Sequence, residues 1–301
     1  ENAAASMGVE FAYLNDEELN RFSLLESVGG GAALWDFDSD SRLDLLIPGG
    51  GRFEPPQTPG RPSALYRQVS PSRFSEVTRP GRTTSFPHYS HGTAVADLDN
   101  DGFPDLLVTG YGGLLLYHNQ GDGTFQEVAH DAGLTDDFWS IGAAWGDLNG
   151  DGDDDLYVVH YVDWSYENDP SCPGPSPYPR DVCPPTRFEP LPDILYLSNR
   201  DGTFRDASRE VDLRKDGKGM GVITGDFDLD RDVDIYVAND TVPNFLYRNN
   251  GDGSLEEVGV PSAAALSDRG LGNGSMGTDL GDFDLDGLPD LWVANYQHET
   301  F

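Results

Sequence analysis

Short apolar runs alternate with acidic turns along most of the chain. Five runs, each containing Gly, close on an aspartate: GAALW (31–35), GTAVA (92–96), IGAAWG (141–146), GVITG (221–225) and GSMGTDLG (274–281). After each acidic turn comes a β-rich run: LDLLIPG, PDLLVTG, DDLYVVHYV, VDIYVAND and PDLWVANY. Val, Ile, Tyr and Leu in short runs bounded by Gly and Asp predict strands, not helices. A third run ending near Tyr follows in four copies: SALYRQ (63–68), GLLLYHN (113–119), DILYLSN (193–199) and NFLYRN (244–249). Asp-Gly turns, which favour positive φ, then introduce a fourth strand in GDGTFQEVA (121–129), RDGTFRDAS (200–208) and GDGSLEEV (251–258). The predicted unit is strand, acidic loop, strand, loop, strand, tight turn, strand. Four units are complete, and the fifth reaches its second strand before Phe301.

The acidic loops share one pattern, Asp-x-Asp/Asn-x-Asp-x-x-x-Asp, starting at residues 36, 97, 147, 226 and 282. Their starts are 61, 50, 79 and 56 residues apart, and an insertion of about 25 residues explains the longest interval. A period of this size suits one four-stranded propeller blade. The expected fold is therefore an all-β propeller of four-stranded blades. Residues 29–301 form the repeat region, with a Pro-rich, Cys-containing insertion at 163–192. Residues 1–28 precede it, and their runs GVEFAYL and RFSLLESV are candidate outer strands closing the last blade. ANYQHETF reads as a chain cut in mid-blade, so further blades are expected. Five blades closed by the N-terminal segment is the alternative.

Four carboxylates within nine residues repel one another unless a hard cation sits among them. Calcium takes six to eight oxygens, and alternating acids on a tight loop supply them. The candidate ligands are Asp36, Asp38, Asp40, Arg42 and Asp44 in the first loop and Asp97, Asp99, Asp101, Phe103 and Asp105 in the second. Asp147, Asn149, Asp151, Asp153 and Asp155 form the third set, and Asp226, Asp228, Asp230, Asp232 and Asp234 the fourth. Asp282, Asp284, Asp286, Leu288 and Asp290 form the fifth. Position 7 would donate a backbone carbonyl, so its side chain is free to vary. An EF-hand would need Glu at position 12, where this chain has Ile47, Val108, Val158, Val237 and Val293. Position 6 is Gly102, Gly152 and Gly287 in three loops, but Ser41 and Arg231 in the first and fourth, which are expected to bind more weakly. About five Ca²⁺ ions are expected, each joining the first two strands of a blade.

Charge narrows the partners. With 53 acidic and 19 basic residues the formal charge is −34, which excludes a nucleic-acid-binding role for want of a basic patch. Nineteen of the acids occupy positions 1, 3, 5 and 9 of the five loops, with Asn149 in the twentieth place. No apolar stretch approaches the roughly 20 residues of a transmembrane helix. Glu1 reads as a processed or trimmed start. Cys172 and Cys183 lie eleven apart and read as a local disulfide pinning a long loop, with two free thiols as the alternative. A disulfide and calcium loops together predict an extracytoplasmic setting: secreted, periplasmic or cell-surface.

These repeats resemble FG-GAP/VCBS repeats, the calcium-loop blades of integrin α-subunits. In detail they are similar to the cartilage-acidic-protein-like group, whose propeller often precedes an ASPIC/UnbV module. The segments that carry the resemblance are FSLLESVGGGAALWDFDSD (22–40), YVVHYVDW with C…C-P-P and DILYLSNRDGTF (157–204), and YVANDTVPNFLYRNNGDGS (236–254). The resemblance implies a propeller, usually seven-bladed, with Ca²⁺ on the odd-position acids and ligands bound elsewhere. Asn149, Ser41 and Arg231 depart from the pattern.

Three functions are expected in order. The first is a non-catalytic, calcium-stabilised scaffold binding protein or glycan, with Trp164, Tyr166, Tyr178 and Phe188 around the Cys loop as candidate contact surface. The alternative to that surface is a cap packed on the propeller's own side. The second is a polysaccharide lyase or hydrolase using His88 and His91 with Tyr89 and Asp97 as an acid/base set. The third is a subunit of a larger extracytoplasmic assembly. His118, His130, His160 and His298 read as structural.

Overall fold

The computed structural model describes residues 3–79, 81–83 and 87–296. It divides into two compact units, Glu1–Asp137 with Trp164–Pro184, and Phe138–Asp163 with Pro185–Phe301. The first unit holds two antiparallel sheets. One is formed in chain order by β1 (Ala33–Trp35), β2 (Asp44–Ile47), β3 (Ala64–Ser70) and β4 (Arg73–Glu76). The other is β5 (Tyr89–Ala96), β6 (Asp105–Tyr111), β7 (Gly113–Asn119) and β8 (Phe125–Glu127). The second unit holds β9 (Ser140–Gly146), β10 (Asp155–His160), β11 (Ile194–Ser198) and β12 (Phe204–Asp206), again in order. Next come β13 (Gly219–Gly225), β14 (Asp234–Asn239), β15 (Phe245–Asn249) and β16 (Leu255–Glu257). A two-stranded sheet, β17 (Ser275–Gly281) with β18 (Asp290–Asn295), completes the described part.

The all-β, four-stranded repeat read from the apolar runs is thus observed. One register recurs at all five acidic loops: the residue before position 1 pairs with the position-9 aspartate. The pairs are Trp35–Asp44, Ala96–Asp105, Gly146–Asp155, Gly225–Asp234 and Gly281–Asp290. Side chains alternate across a strand, so this shared register gives every loop the same start and the same finish. The second strand of each full sheet lies between two neighbours. In β6, β10 and β14 it is buried on both faces except at the last residue of β6, which is why its sequence runs apolar without alternation.

The core of each unit lies between its sheets. In the first, Trp35, Phe37, Leu46, Leu65, Leu106, Leu115, Tyr117 and Phe125 pack together. In the second, Leu148, Tyr157, Val159, Leu195, Ile235, Val237, Phe245 and Tyr247 do so. Burying a side chain of this size contributes roughly 1.5–3 kcal/mol, and these clusters join sheets whose backbone bonds are satisfied internally.

Residues 3–28 depart from the strand expectation for the N-terminal segment. They form 3-10 turns at Ala5–Met7 and Glu17–Leu19, a helical turn at Leu24–Ser27 capped by Ser23, and a single bridge at Leu14. Asp16, Asn20 and Phe22 adopt left-handed φ of 59°, 51° and 58°, which breaks any extended run. The segment is tied to the first unit: Tyr66 Oη donates to Glu10 O, and Tyr13 Oη donates to Ser90 O.

The Cys172–Cys183 disulfide is formed. Its loop groups with the first unit, where Trp164 is buried against Phe53 and Tyr111 at ring separations of 6.1 and 5.2 Å. Tyr166 packs on Phe53 and Trp164 and donates to Gln57 O. Phe188 is buried in the second unit, and Tyr178 alone of the four aromatics is exposed. The loop is therefore a cap on its own unit; its aromatics gain more from burial than from display.

Candidate metal centres

Each acidic loop is shaped by its own carboxylates before any ion is considered. In the second loop Asp97 accepts from the backbone N–H groups of Asp101 and Gly102 at 3.1 and 2.9 Å, and Asp101 accepts from Phe103 at 2.8 Å. The same bonds run Asp36 to Asp40 and Ser41, Asp147 to Asp151 and Gly152, Asp226 to Asp230 and Arg231, and Asp282 to Asp286 and Gly287. Position 6 needs the left-handed conformation everywhere, with φ of 65° at Ser41, 89° at Gly102, 92° at Gly152, 84° at Arg231 and 87° at Gly287. The sequence signalled that with Gly in three copies. Position 4, which it did not signal, is also left-handed: Ser39, Asn100, Gly150, Leu229 and Leu285 have φ between 56° and 74°.

Wrapping the loop this way brings its acids together. One carboxylate oxygen from each of Asp36, Asp38 and Asp40 lies within 4.8 Å of the others, and likewise for Asp97, Asp99 and Asp101, and for Asp226, Asp228 and Asp230. In the fifth loop the trio is Asp282, Asp284 and Asp290. In the third, the amide of Asn149 stands at position 3 between Asp147 and Asp151, and both Asn149 and Asp147 accept from the Asp151 N–H at 2.9 Å. The donor set is all oxygen, mostly anionic and closely spaced, which fits a hard divalent cation.

The position-9 aspartates do something the spacing alone did not reveal. Asp44, Asp105, Asp155 and Asp234 are buried. Each accepts on Oδ2 from the position-2 N–H of its own loop: Phe37, Leu98, Leu148 or Phe227, at 3.0–3.2 Å. Each accepts on Oδ1 from a third-strand N–H: Gln68, Asn119, Ser198 or Asn249, at 2.7–2.8 Å. One carboxylate thus pins loop, second strand and third strand. Burial pushes Asp44 and Asp155 up to about 6 and raises Asp105 and Asp234 as well, partly opposed by those backbone donors.

Sequence comparison places these loops in a family. The FG-GAP-like repeat profile matches residues 36–108, 97–158 and 226–293. The chain belongs to the FG-GAP-like repeat family. Among curated proteins it is 24% identical over 278 residues to cartilage acidic protein 1 of Mus musculus and of Homo sapiens, covering 74% of this chain and 42% of theirs. The Xenopus tropicalis protein of that name is 24% identical over 225 residues, covering 70% of this chain and 32% of its own. The chain spans less than half the length of these relatives. Two solved structures are also similar. One is an Agrocybe aegerita lectin described as recognising non-reducing terminal N-acetylglucosamine (TM-score 0.44, 17% identity, 87% of this chain and 59% of that one). The other is the V. cholerae biofilm matrix protein Bap1 (TM-score 0.41, 15% identity, 88% and 35%).

In these FG-GAP-like repeats, residues outside the nine-residue motif also reach the acids. Arg67, on β3, pairs with Asp38 and Asp40, joining Arg42 of the motif itself, which also pairs with Asp40. His118, on β7, lies 3.0 Å from Asp105 and 3.8 Å from Asp99. Arg200 reaches Asp151 and Asp153 at 3.1 and 3.2 Å. Sequence reading missed Arg67, His118 and Arg200 because they come from the third strand or the turn after it. Their only signal is position relative to that strand's last apolar pair.

The histidines proposed for acid/base work do not form a site with Asp97. His91 is buried, its Nδ1 3.2 Å from both Tyr13 Oη and Gly29 O, and burial lowers its pKa to about 4. Tyr89 is buried beside it with its pKa raised by desolvation. Asp97 follows the far end of the same strand, about 20 Å away at the usual rise per residue, with its carboxylate turned into the loop. His88 is half-buried, and burial lowers its pKa too. His160 Nδ1 bonds Pro192 O at 2.7 Å, His130 is exposed, and His298 lies outside the described residues.

Proposed function

We propose that the chain is a calcium-stabilised, non-catalytic propeller that works outside the cytosol as a scaffold binding protein or glycan. The observation that carries this reading is the repeated acid trio at the hairpin between the first two strands. Asp97, Asp99 and Asp101, and Asp226, Asp228 and Asp230, would hold Ca²⁺ together with the position-7 backbone and the position-9 carboxylate. A bound ion would supply two positive charges where carboxylates otherwise repel, turning binding energy into folding energy. Rigid sheets with loops at their ends then serve as a platform for recognition. The formed disulfide supports an oxidising compartment, as does the naming of the relatives after cartilage. No described helix is long and apolar enough to cross a membrane. Buried His91 offers nothing to a hydrolase or lyase reading.

Calorimetric titration of the metal-stripped chain with Ca²⁺ tests the metal half: several ions should bind with release of heat and raised stability. A glycan array and pull-downs from extracellular fluid, each run with calcium and with EDTA, test the other half. Retention that vanishes in EDTA is the expected result; depolymerisation of a polysaccharide substrate would instead support an enzyme.

A further inference from the structure

The five loops are not equivalent, and the difference lies on the third strand. Arg67, His118, Leu197 and Arg248 occupy one position there, each immediately before the residue whose N–H bonds the position-9 aspartate. Their behaviour diverges. Arg248 ion-pairs with Glu256, its partner across the β15–β16 ladder. Arg67 faces Ser75 across β3–β4, which offers no charge. Arg67 turns instead to the acidic loop: its Nη2 donates to Asp40 Oδ2 at 3.1 Å, and its Nε stands 2.5 Å from Asp38 Oδ2 as an ion-pair contact without hydrogen-bond geometry. Arg42, the position-7 residue, pairs its Nη2 with the same Asp40 oxygen and donates from Nε to Gln68 O at 2.7 Å. Positions 3 and 5 are thus both engaged by guanidinium groups.

We infer that the first loop is neutralised from within: Arg42 and Arg67 take the place of the divalent ion there, and this loop binds no calcium while its sister loops do. Two guanidinium groups bring the same two positive charges as one Ca²⁺. They sit on the oxygens the ion would need and repel it as well. Asp38 Oδ1 is left buried without a hydrogen-bond partner. The backbone of the loop matches its sisters, with the same bonds from Asp36 to Asp40 and Ser41 and the same left-handed residues at Ser39 and Ser41. The cross-strand partner decides the outcome: an acid there diverts the arginine, and a neutral residue releases it to the loop.

The inference rests on calcium binding by the other loops, and its test keeps the two apart. Calcium stoichiometry is measured by equilibrium dialysis on the metal-stripped full chain. Asp38→Asn/Asp40→Asn should leave the number of bound ions unchanged, whereas Asp228→Asn/Asp230→Asn should lower it by one. Arg42→Gln/Arg67→Gln should raise it by one. The surface substitution Ser75→Glu, which leaves the loop intact and gives Arg67 the partner that Arg248 has, should do the same. Loss of an ion with Asp38→Asn/Asp40→Asn, or no gain with either arginine-releasing change, overturns the inference alone. No binding by wild type or any variant overturns the calcium reading and the inference together.

Discussion

At the scale of single residues, the acids of one motif divide into two kinds. Odd-position acids early in the loop present oxygens toward a common point, while the position-9 acid of each full sheet also holds backbone donors of its own loop and of the third strand. This separation is testable in the fourth loop. Asp234→Ala strands one buried and one part-buried N–H donor, those of Asn249 and Phe227, at about 2–4 kcal/mol. The cost should appear in urea melts in EDTA, where no ion is involved, and be larger still in calcium. Asp228→Ala should cost stability in calcium and little in EDTA. Position 4 supplies a gain: Leu229 is held at φ 63° and is exposed, so Leu229→Asn, which tolerates that conformation, should stabilise by up to about 1 kcal/mol. His91 gives a pH signature. Its folded pKa is depressed from 6.5 to about 4, so it contributes stability above pH 6.5 that drains away as pH falls toward 4. Tyr13 and Tyr89 beside it stay neutral over that range, their pKa values raised by burial. Between pH 7 and pH 5 the wild type should lose about 2 kcal/mol more than His91→Gln; equal losses would show that the histidine titrates normally in the fold.

At the scale of elements, legibility followed how local the determining physics is. Strands flanking each loop were readable because an apolar run ends at Gly, Ala or Trp and restarts at an Asp whose pairing is fixed by the hairpin. Three of the four closing strands announced themselves through Asp-Gly turns. β4 did not, because its turn is Ser70-Pro71-Ser72, with a register irregularity between Gln68 and Ser70. GVEFAYL looked like a strand and is not one; RFSLLESV became a capped helical turn, since Ser23 accepts from Leu25 N–H. The acid trios were legible as a spacing. The arginines that answer one of them were not, because Arg67 lies 27 residues from Asp40 and its choice depends on the identity of Ser75. The Cys loop was half legible: the bond was expected, but its inward-facing aromatics emerge only when Phe53 and Tyr111 are in place. Cys172→Ser/Cys183→Ser should lower stability by about 2–3 kcal/mol from loop-closure entropy. The fluorescence of buried Trp164 should then shift red as the cap loosens, while unchanged emission would mean the cap holds without its bridge.

At the scale of the whole molecule, the dominant fact is a formal charge of −34 on 301 residues. Self-repulsion of that size opposes a compact state, and the acids that contribute most to local crowding are those of the repeats. On the proposed reading, neutralisation by ions in most loops and by arginines in the first would offset that repulsion. The measurement that bears most directly on this is the melting temperature of the chain in millimolar calcium against excess EDTA at constant ionic strength. With several sites each contributing about 2.7 kcal/mol at a hundredfold excess over Kd, chelation should lower the melt by more than about 10 °C. Superimposable melts in the two conditions would contradict it.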